Sequence, residues 1–195
     1  ADGYTVLSAD NAVLAFNEHL FGKLPFNPEK DFSYIGAIGK FPLALVVHPD
    51  FPAKNFKEFL AYVKANPGKV NYASPGNGSP HHLAMEMFKV RTGTFITHIP
   101  YRGAAPAMAD VMGGQVPCMF LDLASGLSIM KGNKVRVLAI GSGARSKLLP
   151  EVPTLAEVGV SNSEVFAFQG VLGPAGLPAA VVNKLNGDLN LSLIH

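Results

Sequence analysis

An α/β fold class is predicted by three observations. Short runs rich in Val, Ile, Tyr and Phe alternate with amphipathic segments that carry helix caps. The 20 Gly and 15 Pro fall between those runs and not in one tract, so they read as turns. From Val70 to Ile140 the order is strand, helix, strand, helix, strand, helix, strand, which is the alternation of a parallel or mixed sheet covered by helices. No internal repeat is visible.

The strands are expected at 4–7, 34–38, 43–47, 70–73, 95–99, 116–120, 135–140 and 166–172. The helices have clearer punctuation. Asn55 with Glu58 forms a capping box ahead of the apolar face Phe56, Phe59, Leu60 and Val63, and Asn66-Pro67-Gly68 ends that helix. Ser79 caps the next, with Pro80 at its first position and Leu83, Ala84, Met87 and Phe88 as its buried stripe. Pro106 opens a third that closes at Gly113-Gly114, and a fourth covers 125–131. Thr154 with Glu157 caps a brief turn ending at Gly159. Pro178 begins the last helix, with Val182, Leu185 and Leu189 on one side.

Composition removes several classes of function. With 48% hydrophobic and 15% charged residues, the chain can bury a core and does not read as disordered. The net charge of +2 comes from scattered Lys and Arg, of which Lys131, Lys134 and Arg136 are the densest group; no stripe tracks a phosphate backbone, so nucleic acid is not an expected partner. The one cysteine, Cys118, excludes an internal disulfide and lies in an apolar run, where a thiol is buried and inert. The longest uncharged stretch, 165–183, is broken by Gly170, Gly173, Pro174, Gly176 and Pro178 and is not a membrane span.

Three loops, each between a strand and a helix, are candidate sites. In Ser74-Pro75-Gly76-Asn77-Gly78-Ser79-Pro80-His81-His82 the glycines leave backbone N–H groups unshielded at a helix start, which favours a carboxylate or phosphate. Pro100-Tyr101-Arg102-Gly103-Ala104-Ala105-Pro106-Ala107 repeats the design with small residues at the helix start. In Leu121-Asp122-Leu123-Ala124-Ser125-Gly126, Asp122 either orients a ligand or caps the helix, and the cap is the favoured reading. Helix starts after neighbouring parallel strands point to one edge of the sheet, where α/β proteins bind ligands.

The first loop lacks the third Gly of a dinucleotide fingerprint and the Gly-Lys-Ser/Thr of a P-loop. Adjacent His81 and His82 point roughly 100° apart on a helix and cannot chelate one metal as an i, i+4 pair would. No metal site and no cofactor are expected. Ser74 or Ser79 with a histidine is the one conceivable nucleophile pair, without an elbow or a third partner. On the residues alone, then, a binding module for a small anion stands ahead of a hydrolase using Ser79 and His82 and of a ligand-sensing interaction module.

These loops, in this order, resemble the substrate-binding proteins of the tripartite tricarboxylate transporter family, the Bug family. The likeness runs along almost the whole chain: Asp2-Gly3-Tyr4-Thr5-Val6-Leu7, Leu24-Pro25-Phe26-Asn27-Pro28, Asn66-Pro67-Gly68-Lys69-Val70-Asn71-Tyr72-Ala73-Ser74, the loops just quoted, Gly113-Gly114-Gln115-Val116, Leu149-Pro150-Glu151-Val152-Pro153-Thr154, Phe168-Gln169-Gly170-Val171-Leu172 and Pro174-Ala175-Gly176-Leu177-Pro178. Each phrase is weak alone, and their common order is specific.

The resemblance implies a periplasmic binding protein-like (type II) fold of two α/β lobes, export to the periplasm, and delivery of a carboxylate-bearing solute (a di- or tricarboxylate, an amino acid or an aromatic acid) to membrane transporter subunits, with no enzymatic step. Its lobes would be 1–47 plus 171–195 and 48–170. Its ligand-binding residues would be Gly78, Ser79 and His82, then Gly103, Ala104 and Ala105, then Asp122 and Ser125, with Phe168 on the returning strand. Members also begin with a strand, a Gly-rich loop and a helix that do not precede Asp2 here, so the sequence reads as a fragment of a member, with Ser8-Ala9-Asp10-Asn11-Ala12 in the position of a residual contact.

Overall fold

A computed structural model describes residues 4–193. The chain divides into two compact units. One comprises the residues up to Lys40 and those from Ala167 onward; the other is Phe41–Phe166.

The Phe41–Phe166 unit is a mixed sheet with helices. The second half of β2 (Phe32–Val47) pairs antiparallel with β5 (Cys118–Asp122), in the register Leu43↔Asp122 to Val47↔Cys118, and with β6 (Arg136–Ile140). β3 (Asn71–Ser74) runs parallel both to β5 and to β4 (Thr97–Pro100), the latter pairing Tyr72 with His98. The run Leu43-Ala44-Leu45-Val46-Val47 is fully buried. A strand covered on both faces needs an unbroken apolar run, and this one supplies it.

Side chains of β5 point alternately to two cores. Met119 and Leu121 join Ala44, Val46, Ala107, Val111 and Met130 on one face. Phe120 meets Phe88 of α3 (Pro80–Thr92) on the other, where Phe56 and Phe59 of α2 (Phe56–Ala65) also pack on Phe88. α5 (Leu123–Lys131) lies so close to β5 that a Cβ on Gly126 would stand 2.5 Å from Leu121 Cδ2. Cys118 is buried, its Sγ–H donating to Asn71 O, and burial raises the thiol pKa, as the apolar run predicted.

The other unit pairs β1 (Leu7–Asp10) antiparallel with β7 (Phe166–Pro174), in the register Leu7↔Leu172 to Asp10↔Gln169. The first half of β2 and α6 (Ala179–Leu193) complete it, with Asn186 Nδ2–H donating to Ile35 O.

Several boundaries differ from expectation for identifiable reasons. The first strand starts at Leu7, not Tyr4. Strands expected at 34–38 and 43–47 are one 16-residue strand, because Gly39 and Pro42 bend no turn there. A π-helical turn at Ala12–Phe16, running into α1 (Asn17–Leu20), was not anticipated; Asp10 Oδ1 accepts from the N–H groups of Ala12 and Val13 and starts it. The third helix, α4 (Ala104–Met112), begins two residues before Pro106. Gly103 stands at its N-cap, so Pro106 occupies the first turn, where no intrahelical N–H is lost. The Thr154 and Glu157 pair forms as read: Thr154 N–H donates to Glu157 Oε2 and Glu157 N–H to Thr154 Oγ1.

Candidate functional site

Because β3, β4 and β5 are parallel neighbours, the starts of α3, α4 and α5 lie at the same edge of the sheet. Eight of the nine residues singled out in the sequence belong to these three loops. Phe168 is on β7, in the other unit, where its N–H donates to Asn11 Oδ1.

The β3–α3 loop is tightly self-bonded. Ser79 Oγ accepts the His82 N–H at 3.2 Å, the cap its sequence position predicted, and donates to Gly76 O at 2.8 Å. Gly78 adopts φ +78°, a left-handed conformation that a Cβ disfavours, and aims its N–H at His82 Nδ1, 3.1 Å away. His82 is therefore engaged with its own loop, and its Nδ1 must be unprotonated to accept. Burial lowers the pKa of His82, and Lys89 lowers it further, against the opposing charge of Glu86.

Ser79 and His82 do not form a nucleophile pair, since the hydroxyl proton goes to Gly76 and the ring nitrogen to Gly78. A serine–histidine contact exists elsewhere: Ser74 Oγ is 2.6 Å from His98 Nε2. Ser74 is fully buried and also receives the Gly76 N–H, so it has no approach for a substrate.

His98 is the residue that sequence reasoning missed. Its ring stacks on Tyr72 at 4.7 Å and on His82 at 4.2 Å. The visible signal was its register opposite Tyr72, which only strand pairing reveals.

The second loop is anchored to the first by Tyr101 N–H to Ser74 O and Gly103 N–H to Pro75 O, both 2.9 Å. Gly103 has φ +112° and no side chain with which to cap α4. The first N–H groups of a helix have no intrahelical acceptor, so those of Ala104 and Ala105 are left as donors. Arg102 is exposed. Tyr101 OH donates to Asp110 Oδ2; burial, then Asp110, pushes the phenol pKa up to about 12.

In the third loop Asp122 stands at the N-cap of α5, but its side chain caps no helix N–H. The favoured cap reading is thus corrected. The carboxylate turns instead to His81, whose Nε2 is 3.1 Å from Asp122 Oδ2, while Ser125 Oγ lies 3.4 Å from the same oxygen. Burial resists ionisation of Asp122, but His81 and Ser125 outweigh it and hold the carboxyl below its usual range. His81 Nδ1 is buried and has no partner among the described residues. The His81 bond ties the start of α3 to the start of α5 and leaves the first α5 N–H groups uncapped. Among the described residues no group of His, Cys, Asp and Glu is arranged to hold a metal ion.

The edge thus carries one capped helix start and two uncapped ones, with few charges. Such starts offer aligned N–H groups and a partial positive charge, which suit an anion whose size they do not define.

Comparison with known proteins finds a matching family and several similar proteins. The family described as "Tripartite tricarboxylate transporter family receptor" matches residues 1–193. BugT of Bordetella pertussis is 35% identical over 99% of this chain and 60% of its own length. A Pseudomonas sp. (strain P51) protein, described as the UPF0065 protein in the tcbD-tcbE intergenic region, is 33% identical over 99% of this chain and 57% of its own. Among solved structures, R. palustris Rpa4515 with adipate superposes with a TM-score of 0.93 at 30% identity, over 96% of this chain and 63% of that one. MatC from Rhodopseudomonas palustris with bound malate gives 0.93 at 28% identity, over 100% and 66%. This chain spans a little over half the length of the curated relatives it matches.

Proposed function

Since the chain belongs to the tripartite tricarboxylate transporter receptor family, we propose that it captures a small carboxylate-bearing solute in the periplasm and presents it to the membrane subunits of a tripartite transporter, with no chemical step. The observation that carries this reading is the pair of uncapped helix starts, α4 and α5, beside the capped start of α3 on one sheet edge. The N–H groups of Ala104 and Ala105 and those at the start of α5 are the proposed carboxylate donors. Gly103 provides the open approach. Ser79, His82 and Gly78 shape the first loop, and Asp122 with Ser125 sets the polarity at the third. Similar proteins whose structures carry adipate and malate give the two first probes.

A receptor is stabilised by its ligand and leaves it unchanged. At a concentration of 100 times Kd a ligand adds about 2.7 kcal/mol, a Tm rise of about 5–10 °C for a chain of this size. Thermal shift against a panel of di- and tricarboxylates, amino acids and aromatic acids is the test, with chromatography of the recovered ligand to check that none is consumed. A panel without any shift, or turnover of an ester, contradicts the reading.

A further inference from the structure

Five side chains from three elements meet beneath the β3–α3 loop. Tyr72 of β3, His98 of β4 and His82 of α3 stack with interplanar angles of 13–19°. The stack is pinned at both ends. Tyr72 OH donates to Glu86 Oε1 at 2.6 Å, and Lys89 Nζ holds both Glu86 oxygens at 2.7 and 2.8 Å. At the other end His82 Nδ1 takes the Gly78 N–H and His98 Nε2 meets Ser74 Oγ.

Each ring therefore grips one end of the loop: His98 the last residue of β3, His82 the residue before the helix cap. We propose that His82 is a positioning residue that holds the β3–α3 loop only as a neutral ring, so that the shape of the loop responds to protons. The inference rests on the reading of this loop as part of a carboxylate site, but its mechanism does not need the ligand.

A proton on His82 Nδ1 removes the lone pair that accepts the Gly78 N–H. The groups facing His82 and His98 are Tyr72 from β3 and Glu86 and Lys89 from α3. Glu86 alone favours a charged ring, and it is already shared by Lys89 and Tyr72. Burial, then the neighbouring His82, brings His98 down to about 4, and burial also lowers His82. Both rings are neutral at pH 7.

The test is amide hydrogen exchange of Gly78, corrected for intrinsic rate, together with the ring nitrogen shifts of His82, from pH 7.5 to 5 without ligand. The expected result is a Gly78 protection that falls on the order of threefold to tenfold, the worth of one hydrogen bond, with the same midpoint as the His82 ring. His82→Asn places an uncharged acceptor near the position of Nδ1, so it should keep the protection at every pH. His82→Phe keeps a flat ring without an acceptor and should lack protection at every pH; unchanged circular dichroism shows that it folds. Protection that ignores the His82 titration, or is equal in the Asn and Phe variants, overturns the proposal. Protection that follows His82 in a protein that binds no carboxylate upholds the loop device and sinks the receptor reading instead.

Discussion

Ala104→Pro separates a backbone grip from a charge grip. Ala104 is the first residue of α4, and its N–H has no intrahelical acceptor. Proline is favoured at that position, because its fixed φ suits a helix and the N–H it removes is already unpaired. The preceding residue is Gly103, with ψ 171°, which a following proline accepts. The substitution therefore deletes one donor and leaves the helix in place, with a Tm within about 2 °C of the parent. If that N–H holds a carboxylate, its loss removes a hydrogen bond to a charged group, worth about 1.5–3 kcal/mol, or a rise in Kd of roughly tenfold to 150-fold. Isothermal titration with the best ligand of the panel gives the number. Arg102→Gln is the control: the side chain is exposed, and its loss should change Kd by no more than about threefold, with most of that removed by salt. A Kd unmoved by Ala104→Pro but raised tenfold by Arg102→Gln refutes the backbone account.

Other consequences are testable on stability alone. Ser79→Ala removes the cap on the His82 N–H, which costs about 1 kcal/mol and lowers Tm by about 2–4 °C in a scan. Phe88→Ala empties the site where Phe56, Phe59 and Phe120 meet, with a loss of about 3–5 kcal/mol in urea unfolding. The lowered pKa values of His98 and His82 mean that the unfolded chain binds more protons than the folded one below pH 6.5. The stability they contribute is complete above that pH and lost as pH falls toward 4, so urea midpoints should decline across that window and decline less in His98→Gln.

Much of this molecule was legible as punctuation. Asn55 with Glu58, Ser79 before Pro80, and Thr154 with Glu157 each act within four residues, so the chain itself declares them. The alternation between Val70 and Ile140 also reads as a parallel or mixed sheet, and the parallel pairing of β3 with β4 and β5 places three helix starts together. What could not be read depends on partners far along the chain. Asp122 looks like a helix cap until His81, 41 residues away, takes its carboxylate. His98 is an unremarkable strand residue until Tyr72 pairs opposite it and His82 lies over it. The long β2 was hidden because Gly39 and Pro42 have the composition of a turn but lie inside an extended strand.

The most direct measurement is an amide nitrogen–proton correlation spectrum recorded while malate or adipate is added. The largest shifts are expected on Ala104, Ala105 and the first residues of α5, Leu123 and Ala124, and they should saturate together. Saturable binding whose shifts avoid those amides, or gather at exposed lysine and arginine side chains, contradicts it.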